Sequence, residues 1–220
     1  MILNRTIQIV LASGSPRRRE LLKSLGLEFK VVVSDVDESP NEDEAPDELA
    51  LRLAETKACA VVQDYREAII IAADTLVVLD DTVLGKPVDE KNAIEILQQL
   101  RSREHYVHTG LAVFCQAQHI INIQLATTPV KMREYFDSEI YTYVSTGNPM
   151  DKAGAYAIQS DDFRPVESIR QCYANVMGLP LCHLYRALKS LDVDLPVHPL
   201  QACPYALQNG NCEWAMEILT

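Results

Sequence analysis

Neither a GxxxxGK[ST] loop nor a GxGxxG turn occurs in the sequence, so the two familiar glycine cradles for nucleotide phosphates are excluded. There is no CxxC pair. The six cysteines (Cys59, Cys115, Cys172, Cys182, Cys203, Cys212) are scattered, with no histidine at zinc-site spacing, so neither a disulfide framework nor a zinc knuckle follows and they read as reduced, mostly buried thiols. Only Cys203 and Cys212 bracket a polar turn, Gln208-Asn209-Gly210-Asn211, where a disulfide or metal clip competes with ordinary packing. No GxSxG is present, and the five histidines (His105, His108, His119, His183, His198) lack metal-ligand spacing, which disfavours Ser-His hydrolysis. Cations are in deficit: 20 Lys+Arg against 31 Asp+Glu give a net charge of -11, so the surface repels polyanions and a phosphate ligand needs its own cationic pocket. Aromatics are 6% of the chain, without a basic stripe for stacking on nucleic acid. Met1 to Val10 contain an arginine and several polar positions, too little apolar length for a signal peptide or membrane span, which predicts a cytoplasmic protein away from the membrane.

What is present is a core-forming composition. The chain's 220 residues are 48% hydrophobic, with 8 Gly and 11 Pro, enough for one large domain or two fused lobes. Ile7–Ala12 reads as a buried strand, followed by a Gly/Ser turn and a helix that Ser15 caps, Pro16 starts and Gly26 ends. Phe29–Val33 reads as a second strand and Asp35–Asp47 as an acidic loop. Apolar spacing predicts a helix from about Pro46 to Tyr65. Ile69–Ala73 is an all-apolar strand expected to deliver Asp74-Thr75 at its end, Asp80-Asp81 a hairpin turn, and Glu90–Leu100 a helix. Tyr106–Ala117 and Ile120–Lys131 form a long β meander; Asp137–Val144 is helical, Ala155–Ile158 extended, and Leu179–Leu191 a last helix. This pattern predicts an α/β fold, a mixed β-sheet with flanking helices. Residues 1–195 form the body and 196–220 a C-terminal extension packed on it or on a partner.

Several positions could carry chemistry. Arg17 and Arg18 occupy the first turn of a helix, where free N–H groups favour anions; they suit a phosphate, or else remain solvated. Asp74 at a strand end sits where open α/β sheets place ligands, or caps its own turn. A magnesium bridge to a triphosphate needs a second carboxylate, for which Asp35, Asp37 and Glu38 are candidates. Lys57 lies on a helix and Lys86 in a stiff Gly85-Lys86-Pro87 turn, while Gln159 both donates and accepts, as a pyrimidine edge requires.

In order along residues 7 to 190, Leu11-Ala12-Ser13-Gly14-Ser15-Pro16-Arg17-Arg18, Glu38, Lys57, Ala73-Asp74-Thr75, Gly85-Lys86-Pro87, Asp151-Lys152-Ala153-Gly154-Ala155-Tyr156 with Gln159, and Asn175-Val176-Met177-Gly178-Leu179-Pro180 resemble the Maf family of nucleotide pyrophosphatases. The resemblance implies a fold like that of inosine-triphosphate pyrophosphatases, elongated, with two lobes around a cleft, and often a homodimer. It implies cleavage of a nucleoside triphosphate between the α- and β-phosphates, a house-cleaning reaction. By position, Asp74 resembles the catalytic acid-base residue, with Glu38 assisting at Mg²⁺ or Mn²⁺. Ser13, Arg18, Lys57 and Lys86 resemble triphosphate ligands. Arg17, Thr75 and Gln159 match positions that separate branches by base. The trio resembles the branch acting on dTTP and UTP; the branch acting on 7-methyl-GTP has Trp, Gln and Glu there. CTP or modified pyrimidines are further substrates in view. The contrasting expectation is a non-catalytic, nucleotide-binding regulator of cell division. Ser160-Asp161-Asp162-Phe163-Arg164-Pro165-Val166 replaces the family's Gly-rich stretch and apolar strand, and the tail from Pro196 lies outside the family's usual core.

Overall fold

The computed structural model describes residues 7–160 and 162–220; Asp161 and most of the N-terminal stretch weighed as a leader lie outside the described residues. These residues form a seven-stranded mixed sheet in the order β2-β1-β3-β5-β6-β7, with β4 added to one end of β3. The strands are β1 (Ile9–Leu11), β2 (Lys30–Val31), β3 (Ile69–Leu79), β4 (Thr82–Leu84), β5 (Glu104–Cys115), β6 (Ile120–Met132) and β7 (Val166–Ile169). β1 runs parallel to β2 and β3, and the other pairings are antiparallel. The helices are α1 (Pro16–Ser24), α2 (Pro46–Val62), α3 (Glu90–Leu100), α4 (Asp137–Ser145), α5 (Tyr173–Val176), α6 (Leu181–Lys189), α7 (Pro199–Ala202), α8 (Pro204–Asn209) and α9 (Ala215–Leu219). No helix among the described residues is long and apolar enough to cross a membrane.

Strand alternation distributes the core over both faces of the sheet. Ile69, Ile71 and Ala73 join Leu21, Leu22, Leu184 and Leu188 on the face of α1 and α6. Ile70 and Ala72 join Ala54, Ala58 and Val61 of α2 on the other. The far halves of β3, β5 and β6 are clothed by α3 and α4 through Val77, Leu97, Val130 and Ile140. The long strands therefore run through two lobes. α1 starts as its sequence requires: Ser15 Oγ accepts from the Arg18 N–H and Pro16 leads the helix. The extension packs back on the body, burying Ala202, Cys203 and Ala206 among α6 side chains.

The structure corrects four local expectations. β3 does not stop at Ala73; Thr75-Leu76-Val77-Val78-Leu79 keep strand-forming character, and β5 pairs along the whole of it, so Asp74 lies mid-strand opposite Gly110. β2 shortens to the two residues that find a partner on β1. Ala155, expected to open an extended run to Ile158, instead ends a kinked turn over Ala153–Ala155, with Gly154 and Ala155 both at positive φ. An apolar-edged strand does follow Gln159, as β7, displaced to Val166–Ile169.

Candidate active site

The site lies at a gap in the sheet. β1 pairs with β3 only as far as Ile71, and β4 begins pairing at Val77. Between them β3 keeps only its β5 neighbour, and Asp74 and Thr75 sit in that opening, pointing to opposite faces because successive strand residues must.

Asp74 faces α2. Ala50, Ala54 and Ala58 repeat every fourth residue and give that helix a flat buried stripe. Beneath it lies Gly110, where an added Cβ would stand 2.0 Å from the Ala50 carbonyl oxygen; only glycine permits this approach. Two turns on, Lys57 Nζ donates to Asp74 Oδ1 and stands 2.6 Å from Glu38 Oε1. The Lys57 and Asp74 side chains are each 9% exposed, whereas Glu38 is 58% exposed and meets them from the mouth of the cleft. Burial pushes the Glu38 carboxyl up, but the hydrogen bond and charge of Lys57, with Lys86 and Arg18, outweigh it and hold it below the usual glutamate value. Its loop is fixed by Arg52, which grips Glu44 with two nitrogens at 2.6 and 2.8 Å and donates to the Ser39 carbonyl at 2.9 Å.

Thr75 faces α1. Arg18 donates through Nε to the Gly178 carbonyl at 2.8 Å, through Nη1 to Ser13 Oγ at 3.1 Å and through Nη2 to Thr75 Oγ1 at 2.9 Å. Burial lowers its guanidinium pKa, opposed by the charge of Asp74. Arg18 is thus a strut tying α1, β3 and the α5–α6 turn together, with its remaining N–H groups left for a ligand. Gly178 has φ +105, a left-handed backbone conformation that favours glycine. Behind the strut, Thr75 and Thr109 hydroxyls are 3.0 Å apart, Thr109 Oγ1 donates to the Asn175 carbonyl at 3.4 Å, and Asn175 Nδ2 donates to Val107 O and Thr128 Oγ1.

Two compartments result. One, about 820 Å³ including its open mouth, is lined by Ser13, Gly14, Arg18, Glu38 and Lys57. The other, about 590 Å³ on the same measure, is lined by Arg17, Thr75, Val77, Tyr156, Gln159 and Met177. Lys86 and Asp151 line both and mark the passage between them. Arg17 Nη1 is 3.9 Å from Asp151 Oδ2, which holds it at the wall of the second compartment. The structure therefore brings all nine anticipated residues to one cleft, while Asp37 turns back to accept from the Ser39 N–H. Thr109, Gly110 and Arg52 were missed, since single residues within a strand or a helix carry no local pattern, and Asp151 and Asn175 stood in the quoted stretches without an assigned role.

Asp74 and Glu38 suit a small hard cation. Two carboxylates from separate elements already converge on one positive charge, the Lys57 ammonium, and magnesium takes one or two protein carboxylates with substrate oxygens completing its shell.

A family model described as Maf-like protein matches residues 8–191. The dTTP/UTP pyrophosphatase of Dictyoglomus thermophilum is 46% identical over 189 residues, spanning 86% of this chain and 98% of that protein. That of Desulforamulus reducens is 46% identical over 189 residues, 85% and 98% of the two chains. The dTTP/UTP pyrophosphatase of Geobacter metallireducens is 45% identical over 184 residues, 84% and 96%. Among solved structures, the Ham1 protein of Staphylococcus aureus overlaps 57% of this chain and 71% of its own, with TM-score 0.43 and 15% identity.

Proposed function

The chain belongs to the Maf-like protein family, and from that membership and the cleft we propose that it is a nucleoside triphosphate pyrophosphatase that hydrolyses dTTP and UTP to the monophosphate and pyrophosphate. The observation that carries the reading is the Asp74–Lys57–Glu38 cluster at the sheet gap, joined through Lys86 to a compartment lined by Arg17, Thr75 and Gln159.

In this reading the triphosphate lies along the first compartment, where Ser13, Arg18, Lys57 and Lys86 neutralise its charge and hold the pyrophosphate that leaves. Asp74 accepts a proton from the water that attacks the α-phosphorus; the α–β anhydride bond breaks and the departing oxygen keeps its electron pair. Lys57 orients the Asp74 carboxylate through their ion pair. Arg17, Thr75 and Gln159 face the base, where a pyrimidine's carbonyls and ring N–H need donors and an acceptor. Asp74 and Glu38 would hold Mg²⁺ or Mn²⁺, which would supply charge neutralisation to the phosphates. Cytoplasmic residence, where nucleotide pools lie, and a homodimer belong to the same proposal.

Pyrophosphate release from canonical and modified nucleoside triphosphates tests it. dTTP and UTP are expected to be cleaved at least about tenfold faster than purine nucleotides, corresponding to ~1.4 kcal/mol of discrimination. Tight dTTP binding without pyrophosphate release would replace the enzyme by a nucleotide-binding regulator.

A further inference from the structure

Tyr156 and His105 form a buried pair beneath the base compartment that the hydrolysis leaves unused. Tyr156 is 5% exposed and lines that compartment with Val77 and Val107. The turn before it sets its place. Gly154 donates its N–H to the Gly85 carbonyl at 3.1 Å and lies so close to Val77 that an added Cβ would meet Cγ1 at 2.9 Å, and Ala155 stands at φ 57. A positive φ outside glycine persists where the surroundings fix it. One such tie is the tyrosine hydroxyl, 2.8 Å from His105 Nε2, with the two rings edge to face at 81°. A wall residue serving by shape alone would be phenylalanine, since a buried hydroxyl is costly to desolvate.

The protons of this pair do not balance within the protein. His105 lies on β5, wholly buried and on the same side of the strand as Val107 two residues on. Burial pushes its imidazole down to about 4, so near neutral pH it carries a single N–H. The pair therefore holds two polar hydrogens, and the contact between Nε2 and the hydroxyl uses one of them. If Tyr156 donates, the other hydrogen sits on His105 Nδ1, which is buried with no hydrogen-bond partner among the described residues. If His105 donates, Nδ1 is a bare lone pair, and the hydrogen left over is that of the hydroxyl, on a residue that borders open space. A sealed N–H without an acceptor is the rarer and costlier of the two arrangements.

We propose that His105 donates through Nε2–H and that Tyr156 thereby presents its O–H to a carbonyl oxygen of the base, which presupposes the pyrimidine nucleotide of the proposed function. Tyr156 is then a specificity-determining donor, and His105 the residue that positions its proton. The donor favours a base with a carbonyl at the edge Tyr156 meets and gives nothing to one with an amino group there. It adds to Arg17 and Gln159 a neutral donor whose direction is fixed from behind by a histidine that no ligand touches.

Two measurements test it. Imidazole ¹⁵N shifts of the full chain near neutral pH, assigned by the signal lost in His105→Gln, should show His105 protonated at Nε2 and bare at Nδ1. The opposite tautomer commits the tyrosine proton to His105 and overturns the proposal. Equilibrium binding of UTP, 2-thio-UTP and 4-thio-UTP is then measured on the Asp74→Asn protein, so that turnover does not intrude. Sulfur accepts hydrogen bonds weakly, so one of the two analogues should bind about 3–10-fold more weakly than UTP, the range of one neutral hydrogen bond. Adding Tyr156→Phe should weaken UTP by the same factor and erase the difference between UTP and that analogue. Equal binding of all three nucleotides before the tyrosine is changed overturns the proposal, as does a thio penalty that survives Tyr156→Phe, which would mark a structural role. Enzyme and donor fail separately: pyrophosphate release by the wild-type chain with no tyrosine-dependent penalty removes the donor and leaves the enzyme, whereas the penalty without pyrophosphate release removes the enzyme and keeps the donor.

Discussion

The two compartments of the cleft are built by opposite means. Around Asp74 the polar groups are charged, few and directly paired, with one ammonium serving two carboxylates. Around Thr75 they are mostly neutral and chained, running from Ser13 through Arg18 and Thr75 to Thr109 and Asn175. A charged centre works by field and loses most of its effect when one member is removed; a neutral chain works by position and yields in small steps. The chemistry should therefore be concentrated on one face of β3, and substrate choice spread over the other.

The comparison breaks most sharply at Asp74. Asp74→Asn keeps size and shape but removes the proton acceptor, so kcat should fall about 10²–10⁴-fold, ~3–5 kcal/mol of barrier, with the fold intact by thermal melt. Retention of more than about a tenth of the activity sinks the assignment. Acid separates the two faces next. His105, beneath the base compartment with Nε2 2.8 Å from the Tyr156 hydroxyl, is pushed down by burial to about 4, from an ordinary 6.5. Because the folded value is the lower one, unfolding takes up the proton first: stability is complete above about 6.5 and declines as pH falls toward 4, by an amount on the order of 3 kcal/mol. Glu38, held below its ordinary 4.5, adds its own loss only under that value. Denaturant midpoints at pH 7, 5.5 and 4.5 should show the first loss, and His105→Gln should flatten it. An unchanged slope in that variant would assign the loss to other groups, His183 first, whose imidazole burial also lowers to about 4.

Legibility in the sequence follows the same division. The elements that rest on local signals were readable: Ser15 and Pro16 start α1, alanine and leucine spacing gives α2, and Asp80-Asp81 turns the β3–β4 hairpin with both residues at positive φ. The charged residues were readable because Asp74 interrupts an apolar run and cations are scarce on an acidic chain. The neutral chain was only partly visible: Asn175 stood in a quoted stretch without a role, and Thr109 is ordinary until β5 pairs with β3 and the α5–α6 turn folds over it. Asp74 was misplaced at a strand end for a related reason: the length of β3 is decided by its distant partner β5, and no local signal reports that.

Gly110 links the two faces, lying opposite Asp74 and under α2. Gly110→Ala puts a methyl against the Ala50 carbonyl, so α2 must lift; a cost of about 1–3 kcal/mol in stability is expected, with kcat lowered because Lys57 is carried away from Asp74. A variant that melts lower with kcat untouched would separate helix placement from catalysis.

The smallest effect belongs to the neutral chain and tests it most directly. Thr109→Val keeps the shape and removes the hydroxyl 3.0 Å from Thr75 Oγ1. Thr75 then depends on Arg18 alone, at a cost of about 0.5–1.5 kcal/mol for a lost hydrogen bond. If the chain positions the base, the loss appears as a KM for dTTP raised roughly 3–10-fold with kcat nearly constant, and Thr109→Ser restores it. If the hydroxyl only stabilises the fold, Tm falls while KM stays, and the serine variant restores Tm alone. A fall in kcat shared equally by every nucleotide would mean that the strut through Arg18 reaches the charged centre, and that the two faces of β3 are one device rather than two.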